Sequence, residues 1–182
     1  MGKVSRILAA GAFGLVCVAA VAPTVGARAD VGPNAKPTDG GMVFANVSIS
    51  VADMDKSTKF YQALGFEIGD AHDVPAPVAK ALGSKAKDPK LAIRFVKRDG
   101  IVLELIHLTP APKKAASGGS AEQLGLCHIA FRVDDVDRVA KLVKDNGGKT
   151  EDALRTKLGP MDILFATDPD GTHIEIAGPA KS

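Results

Sequence analysis

The sequence predicts an α+β fold: two βαβββ modules that form a curved mixed sheet around a central cleft. Three observations predict it. The chain contains an internal repeat. Each copy passes from period-two alternation into a helix-spaced apolar pattern and back. Polar, metal-capable side chains recur at the same points of both copies, inside otherwise apolar strands.

The repeat organises the chain. Without a gap, Asn46 falls on His128, Asp53 on Asp135, Asp55 on Asp137, Lys59 on Lys141 and Gly65 on Gly147. The ends match as well, with Asp99, Gly100 and Glu104 falling on Asp170, Gly171 and Glu175. Two matches in the same order imply a duplicated supersecondary unit. The offset falls from 82 residues to 71, so the first module carries 11 more, placed in the segment 72–90.

Ahead of the repeat, Lys3 and Arg6 precede an apolar run over 7–22, and Ala27-Arg28-Ala29 offers a small-x-small cleavage site. That layout predicts a signal peptide over 1–29, with the apolar run too short for a membrane span. The expected location is periplasmic or secreted, with no membrane attachment after cleavage. Removing Lys3, Arg6 and Arg28 from the 23 basic residues leaves 20 against 21 acidic ones, a net charge of −1. With no basic run and no interleaved aromatics, nucleic acid is excluded as a partner. Cys127 is the one cysteine left, so no intramolecular disulfide forms and packing must supply stability. About 150 residues suffice for one domain with its own core.

Residues 30–41 form a Gly/Pro-rich leader, and a single domain is expected over 42–180. Module one (42–108) starts with a strand over 43–51. Ala45, Val47, Ile49 and Val51 share one face, and Phe44, Asn46, Ser48 and Ser50 the other. Asp53 caps a helix over 54–64 that Gly65 ends. A short helix is placed at 78–82, and strands at 66–69, 91–97 and 101–108. A connector over 109–123, rich in Pro, Ser and Gly, follows. Module two (124–178) repeats the pattern: a strand over 126–133, an N-cap at Asp135, and Val136, Val139, Ala140 and Val143 at helical spacing up to Gly147-Gly148. Its further strands are placed at 149–154, 162–167 and 172–177.

The apolar strand faces have helices to pack on, and the polar faces must line something else. Glu104 stands in Ile-Val-Leu-Glu-Leu-Ile and Glu175 in His-Ile-Glu-Ile. A carboxylate buried there without a partner costs several kcal/mol. Asn46 and His128 lie on the non-helix faces of the first strands. Symmetric pairing of the halves brings Asn46, Glu104, His128 and Glu175 to one shared cleft as metal ligands. One imidazole nitrogen with carboxylate and amide oxygens suits a divalent ion such as Ni, Zn, Mn or Co, with open positions for a chelating substrate. The pattern is met equally by closure within one chain and by closure across a homodimer.

The stretch 47–66, Leu-Glu-Leu-Ile-His (103–107), His-Ile-Ala-Phe-Arg-Val-Asp-Asp-Val (128–136) and Asp-Pro-Asp-Gly-Thr-His-Ile-Glu (168–175) resemble the vicinal oxygen chelate superfamily. That group includes glyoxalase I, extradiol dioxygenases and the fosfomycin and bleomycin resistance proteins. The ligand set is most similar to glyoxalase I-like members: Glu104, His128 and Glu175 match the second, third and fourth ligands, and Asn46 stands where the family has His or Gln. The resemblance implies a lyase or isomerase that moves a proton on a small substrate with adjacent oxygens, Glu175 as base and Glu104 as ligand or acid partner. Arg132, Ser48 and Ser50 are the candidates for substrate contact. Ser50, Leu108 and Leu124 replace the family's glutathione-binding Arg, Asn and Arg, which points away from a glutathione adduct. The competing reading is a small-molecule binding or sequestering protein of the bleomycin-resistance type.

Overall fold

The computed structural model describes residues 42–112, 122 and 124–181. The expected signal peptide, leader and most of the connector lie outside the described residues. Module one runs β1 (Val47–Val51), α1 (Met54–Ala63), β2 (Glu67–Val74), α2 (Ala76–Ala81), β3 (Lys90–Arg98) and β4 (Ile101–Thr109). Module two runs β5 (Ile129–Arg132), α3 (Val136–Asp145), β6 (Lys149–Thr150), β7 (Thr156–Leu158), β8 (Met161–Thr167) and β9 (His173–Pro179), with a 3₁₀ turn at Asp152–Leu154.

The α+β architecture of two like modules is as the repeat predicts. Each module forms its own mixed sheet, ordered β1-β4-β3-β2 and β5-β9-β8-β6, with β7 paired to β8. In both, the first strand runs parallel to the last, and the remaining pairs are antiparallel. Among the described residues no ladder joins β1 to β5, so each is an edge strand of its own sheet.

Element boundaries differ from the sequence pattern in informative ways. The first strand begins at Val47 rather than residue 43, and its counterpart at Ile129 rather than 126. A strand needs a ladder, and pairing starts at Val47–Leu103 and at Ile129–Ile174. Asn46 and His128 therefore sit just ahead of their strands. The strand expected over 149–154 breaks into β6 and the 3₁₀ turn, and β7, which the sequence pattern did not reveal, forms a hairpin with β8.

The helices start and stop as their residues dictate. Asp53 accepts a hydrogen bond from the Lys56 N–H and Asp135 one from the Arg138 N–H, each at 3.0 Å. Gly65 (φ 85°) and Gly147 (φ 89°) end them in the left-handed region that favours glycine.

One apolar core runs through both modules, from Ile49, Val51 and Leu105 to Val143, Leu164 and Ile176. Phe60, Tyr61, Phe66 and Phe131 form a chain of edge-to-face ring pairs with centroids 5.2, 5.5 and 6.0 Å apart, and the last step crosses between modules. Phe60 also lies against Gly148: a Cβ there would come within 2.8 Å of the Phe60 ring and 2.4 Å of the Thr167 carbonyl oxygen. Polar bonds fasten the same seam. The Tyr61 hydroxyl donates to Asp168 Oδ2 at 3.0 Å, and Ser57 Oγ to Asp170 Oδ2 at 2.9 Å. Asp168 is buried and also accepts the Asp170 and Thr172 N–H groups, which fixes the turn that leads into β9.

Candidate metal and substrate site

The register of β1 on β4 places Ser48 opposite Glu104, and that of β5 on β9 places Ala130 opposite Glu175. A phenylalanine flanks each glutamate on its other side, Phe95 beside Glu104 and Phe165 beside Glu175. The repeat thus sets each carboxylate in the middle of its sheet, half-buried, with a ring on one side and the first strand on the other.

The structure joins the four candidate ligands as two pairs. In module one the Asn46 Nδ2 donates to Glu104 Oε2 at 3.0 Å, and Ser48 Oγ donates to the same oxygen at 2.5 Å. In module two His128 Nε2 lies 3.2 Å from Glu175 Oε2, with the imidazole edge-on to the Phe165 ring at 5.6 Å. The two pairs stay apart within a single chain: among the described residues no group of three or more His, Cys, Asp and Glu side chains gathers as a metal site. Each glutamate's strand is paired only within its own module.

The module-two pair nevertheless fits half of an ion's coordination. Two donors bound at about 2.1 Å and at right angles to each other lie about 3.0 Å apart. The 3.2 Å between His128 Nε2 and Glu175 Oε2 is of that size. The donors, one imidazole nitrogen, two carboxylates and an amide, suit a borderline divalent ion in kind as well.

A cleft of about 880 Å³ opens between the modules, lined by Phe44, Val47 and Leu103 on one side and Leu126, His128 and Phe131 on the other. Its lining includes His128 but not Asn46, Glu104 or Glu175. Arg132 also lines it, exposed, with Nη1 3.3 Å from the Met161 sulfur and no carboxylate partner among the described residues. Ser50 is exposed on β1, Leu124 is fully exposed, and Leu108 is half-buried on β4. His107, on the core side of β4, meets the Val51 carbonyl oxygen at 3.2 Å and takes no part in either pair.

What the sequence pattern did not reveal is the role of Ser48 and of the two phenylalanines. The signal was present in the duplication: the strand neighbours of one glutamate, in the parallel and the antiparallel register alike, have counterparts beside the other.

Residues 43–176 match the family described as the Glyoxalase/Bleomycin resistance protein/Dioxygenase superfamily. The chain belongs to this superfamily. Its members typically bind a divalent metal. The protein is similar to a probable lactoylglutathione lyase of Vibrio parahaemolyticus, 30% identical over 137 residues that span 70% of this chain and 84% of the relative. It is also 28% identical to a probable lactoylglutathione lyase of Synechocystis over 141 residues, 74% of this chain and 94% of the relative. A lactoylglutathione lyase of Neisseria meningitidis is 29% identical over 140 residues, 74% of this chain and 88% of the relative. Among solved structures, a glyoxalase family protein of Bacillus cereus superposes with a TM-score of 0.63 at 18% identity, covering 80% of this chain and all of that one. That likeness establishes the fold, as the internal repeat predicts.

Proposed function

We propose that this member of the superfamily is an exported metal-dependent lyase or isomerase that moves a proton on a small substrate with adjacent oxygens, working as a homodimer. The observation that carries the proposal is the division of the ligand set into two half-sites, each at the edge strand of its own module. An unpaired edge seeks a partner strand. The residues just ahead of both edges, Met42, Phe44, Leu124 and Leu126, are large, apolar and exposed. Pairing the β1 edge of one copy with the β5 edge of another, twice around a two-fold axis, buries these residues. It also sets the Asn46–Glu104 pair of one copy beside the His128–Glu175 pair of the other.

Asn46, Glu104, His128 and Glu175 would hold the ion, of the Ni, Zn, Mn or Co kind. Bound there, such an ion would polarise the substrate's oxygens and acidify the neighbouring C–H. The chain's own residues do the rest. His128, edge-on to Phe165, presents Nε2 beside the Glu175 carboxylate. Glu175 takes the proton from one carbon and returns it to the next through its carboxylate oxygens. Its strand neighbour Ala130 offers no side-chain donor, so among the described residues the carboxylate meets His128 alone. Arg132 offers a cation to an anionic substrate group. With Ser50, Leu108 and Leu124 where glutathione-binding side chains would be needed, the favoured substrate is not a glutathione adduct.

Metal analysis of the purified protein after loading with Ni, Zn or Mn, combined with light scattering, tests this reading. We expect about one ion per chain and a dimer. Less than about a tenth of an equivalent would leave a binding or sequestering role for the same cleft instead. Glu104→Gln should lower occupancy strongly, and unchanged occupancy would remove Glu104 from the ligand set. Little hemithioacetal isomerisation is expected with methylglyoxal and glutathione. Export is checked by cell fractionation, with the protein recovered outside the cytoplasm.

A further inference from the structure

Ser48 and Ala130 hold equivalent places in the two modules, yet only Ser48 carries a polar side chain. It lies at the position of β1 paired with Glu104, as Ala130 lies at the position of β5 paired with Glu175. The duplication therefore supplies an internal control: one backbone arrangement, with and without a hydroxyl beside the carboxylate.

Bond direction follows from what each group can donate. A carboxylate has no proton to give, so the hydroxyl hydrogen of Ser48 points at Glu104 Oε2, 2.5 Å away. That distance belongs to charge-assisted O–H···O⁻ bonds. With its one hydrogen committed, Ser48 Oγ can only accept from its other neighbour, Asn46, whose Nδ2 lies 3.1 Å away. Asn46 Nδ2 is also 3.0 Å from Glu104 Oε2, a second acceptor. Facing two acceptors, the amide must present its NH₂ end, which decides an orientation that heavy-atom positions alone leave open. Three hydrogen bonds thus close a triangle, two of them on Glu104 Oε2. Glu104 Oε1 and Asn46 Oδ1 are left without hydrogen bonds among the described residues.

We propose that Ser48 is a positioning residue for the metal: it fixes the Glu104 carboxylate through one oxygen and turns the Asn46 amide so that Oδ1 is the atom left for the ion. The inference rests on the metal-binding reading above and deepens it. It makes Asn46 competent as a ligand by constraint, since the short amide cannot turn its oxygen inward without setting two acceptors against each other. It also divides the labour of the two glutamates. Glu104 is held by two side chains, Asn46 and Ser48, and Glu175, facing Ala130, meets His128 alone among the described residues.

The test is calorimetric titration of the full chain with Ni²⁺, with Co²⁺ visible absorption as a second readout. Ser48→Ala should weaken Ni²⁺ binding about 10- to 100-fold, as loss of a hydrogen bond to a ligating carboxylate does. Ser48→Thr keeps the hydroxyl and should stay within about threefold of the unaltered protein on the same scale. The Co²⁺ bands should change in Ser48→Ala and persist in Ser48→Thr. Because Ser48 is exposed, the metal-free melting temperature should not move in either variant. If the unaltered protein binds Ni²⁺ and Ser48→Ala binds equally well, this inference is overturned and the metal-binding reading stands. Ser48→Thr as weak as Ser48→Ala, or a metal-free Ser48→Ala that melts much lower, would also overturn it. Failure of the unaltered protein to bind either ion overturns both.

Discussion

Helices α1 and α3 occupy equivalent places in the duplication, yet they bury different chemistry. Helix α3 buries Val136, Val139, Ala140 and Val143, an apolar stripe at helical spacing that packs on its own sheet. Helix α1 buries Phe60 and Tyr61 together with Ser57 and Thr58. A hydroxyl is buried at little cost only where it finds a partner. Ser57 and Tyr61 find theirs in Asp170 and Asp168 of the other module, and Thr58 bonds the Met54 carbonyl oxygen and Arg94. One helix thus closes its own module, and the other fastens two modules together. Polarity in α1 is the mark of the seam.

The two helices are also anchored by opposite kinds of ionisation. Burial, reinforced by the Asp168 carboxylate, pushes the Tyr61 hydroxyl well above its ordinary value. On α3, Asp137 accepts bonds from Lys181 and Arg155, which hold its carboxyl down at about 2. Arg155 also grips the buried Asp162 on β8 through Nε and Nη2. The α1 seam is therefore sensitive to alkali and the α3 network to acid.

The largest effect expected from breaking this contrast is in the core. Phe60→Ala should cost about 3–5 kcal/mol in denaturant unfolding, as emptying a fully buried ring does. Leu142→Ala, at the matching position of α3 but only partly buried, should cost about 1–2 kcal/mol. Equal losses would dissolve the distinction between the helices.

Next comes Tyr61→Phe, which keeps the ring and removes the bond to Asp168. A hydrogen bond to a charged group is worth about 1.5–3 kcal/mol, and the loss should fall in that range because Asp168 keeps two backbone donors. The pH profile sharpens the point. The folded value of Tyr61 is raised, so its contribution is fully present below the ordinary tyrosine value of about 10 and is lost as pH rises through the folded value. Tyr61→Phe should flatten the alkaline limb of a stability–pH curve. A limb as steep as before would assign it to another group.

Smaller still is the acid limb. The Asp137 value is lowered, so its contribution is present above the ordinary carboxylate value of about 3.9 and is lost as pH falls through about 2. Lys181→Ala should shallow that limb, and about 0.5 M salt should do much the same because the groups face solvent. The smallest change expected is Arg138→Ala, which removes an exposed bond from α3 to Asp134 ahead of the helix. Its effect should stay within about 0.5 kcal/mol, and a larger one would mean that surface pairing, not packing, sets the stability of this helix.

Much of this molecule was legible before any coordinates. The duplication, the caps at Asp53 and Asp135, and the stops at Gly65 and Gly147 all follow from local spacing. Helix caps and apolar periods depend on neighbours a few residues apart, so the chain writes them out directly. The candidate ligands were legible for the same reason, because a glutamate in an apolar strand declares itself. Strand ends were not: β1 and β5 begin where β4 and β9 offer them a ladder. Nor was β7, a hairpin arm whose existence depends on its pairing with β8.

Residue type and repeat offset, both one-dimensional facts, already set two like modules with a polar residue ahead of the first strand and a glutamate in the last strand of each. Only the folded chain brings Ser48 onto Glu104, leaves Glu175 with His128 and no hydroxyl beside it, and sends α1 rather than α3 across the seam. Those outcomes turn on register, on which edges remain unpaired, and on distances of about 3 Å between residues up to 118 positions apart. Such distances are set by packing of the whole chain, and no local stretch encodes them.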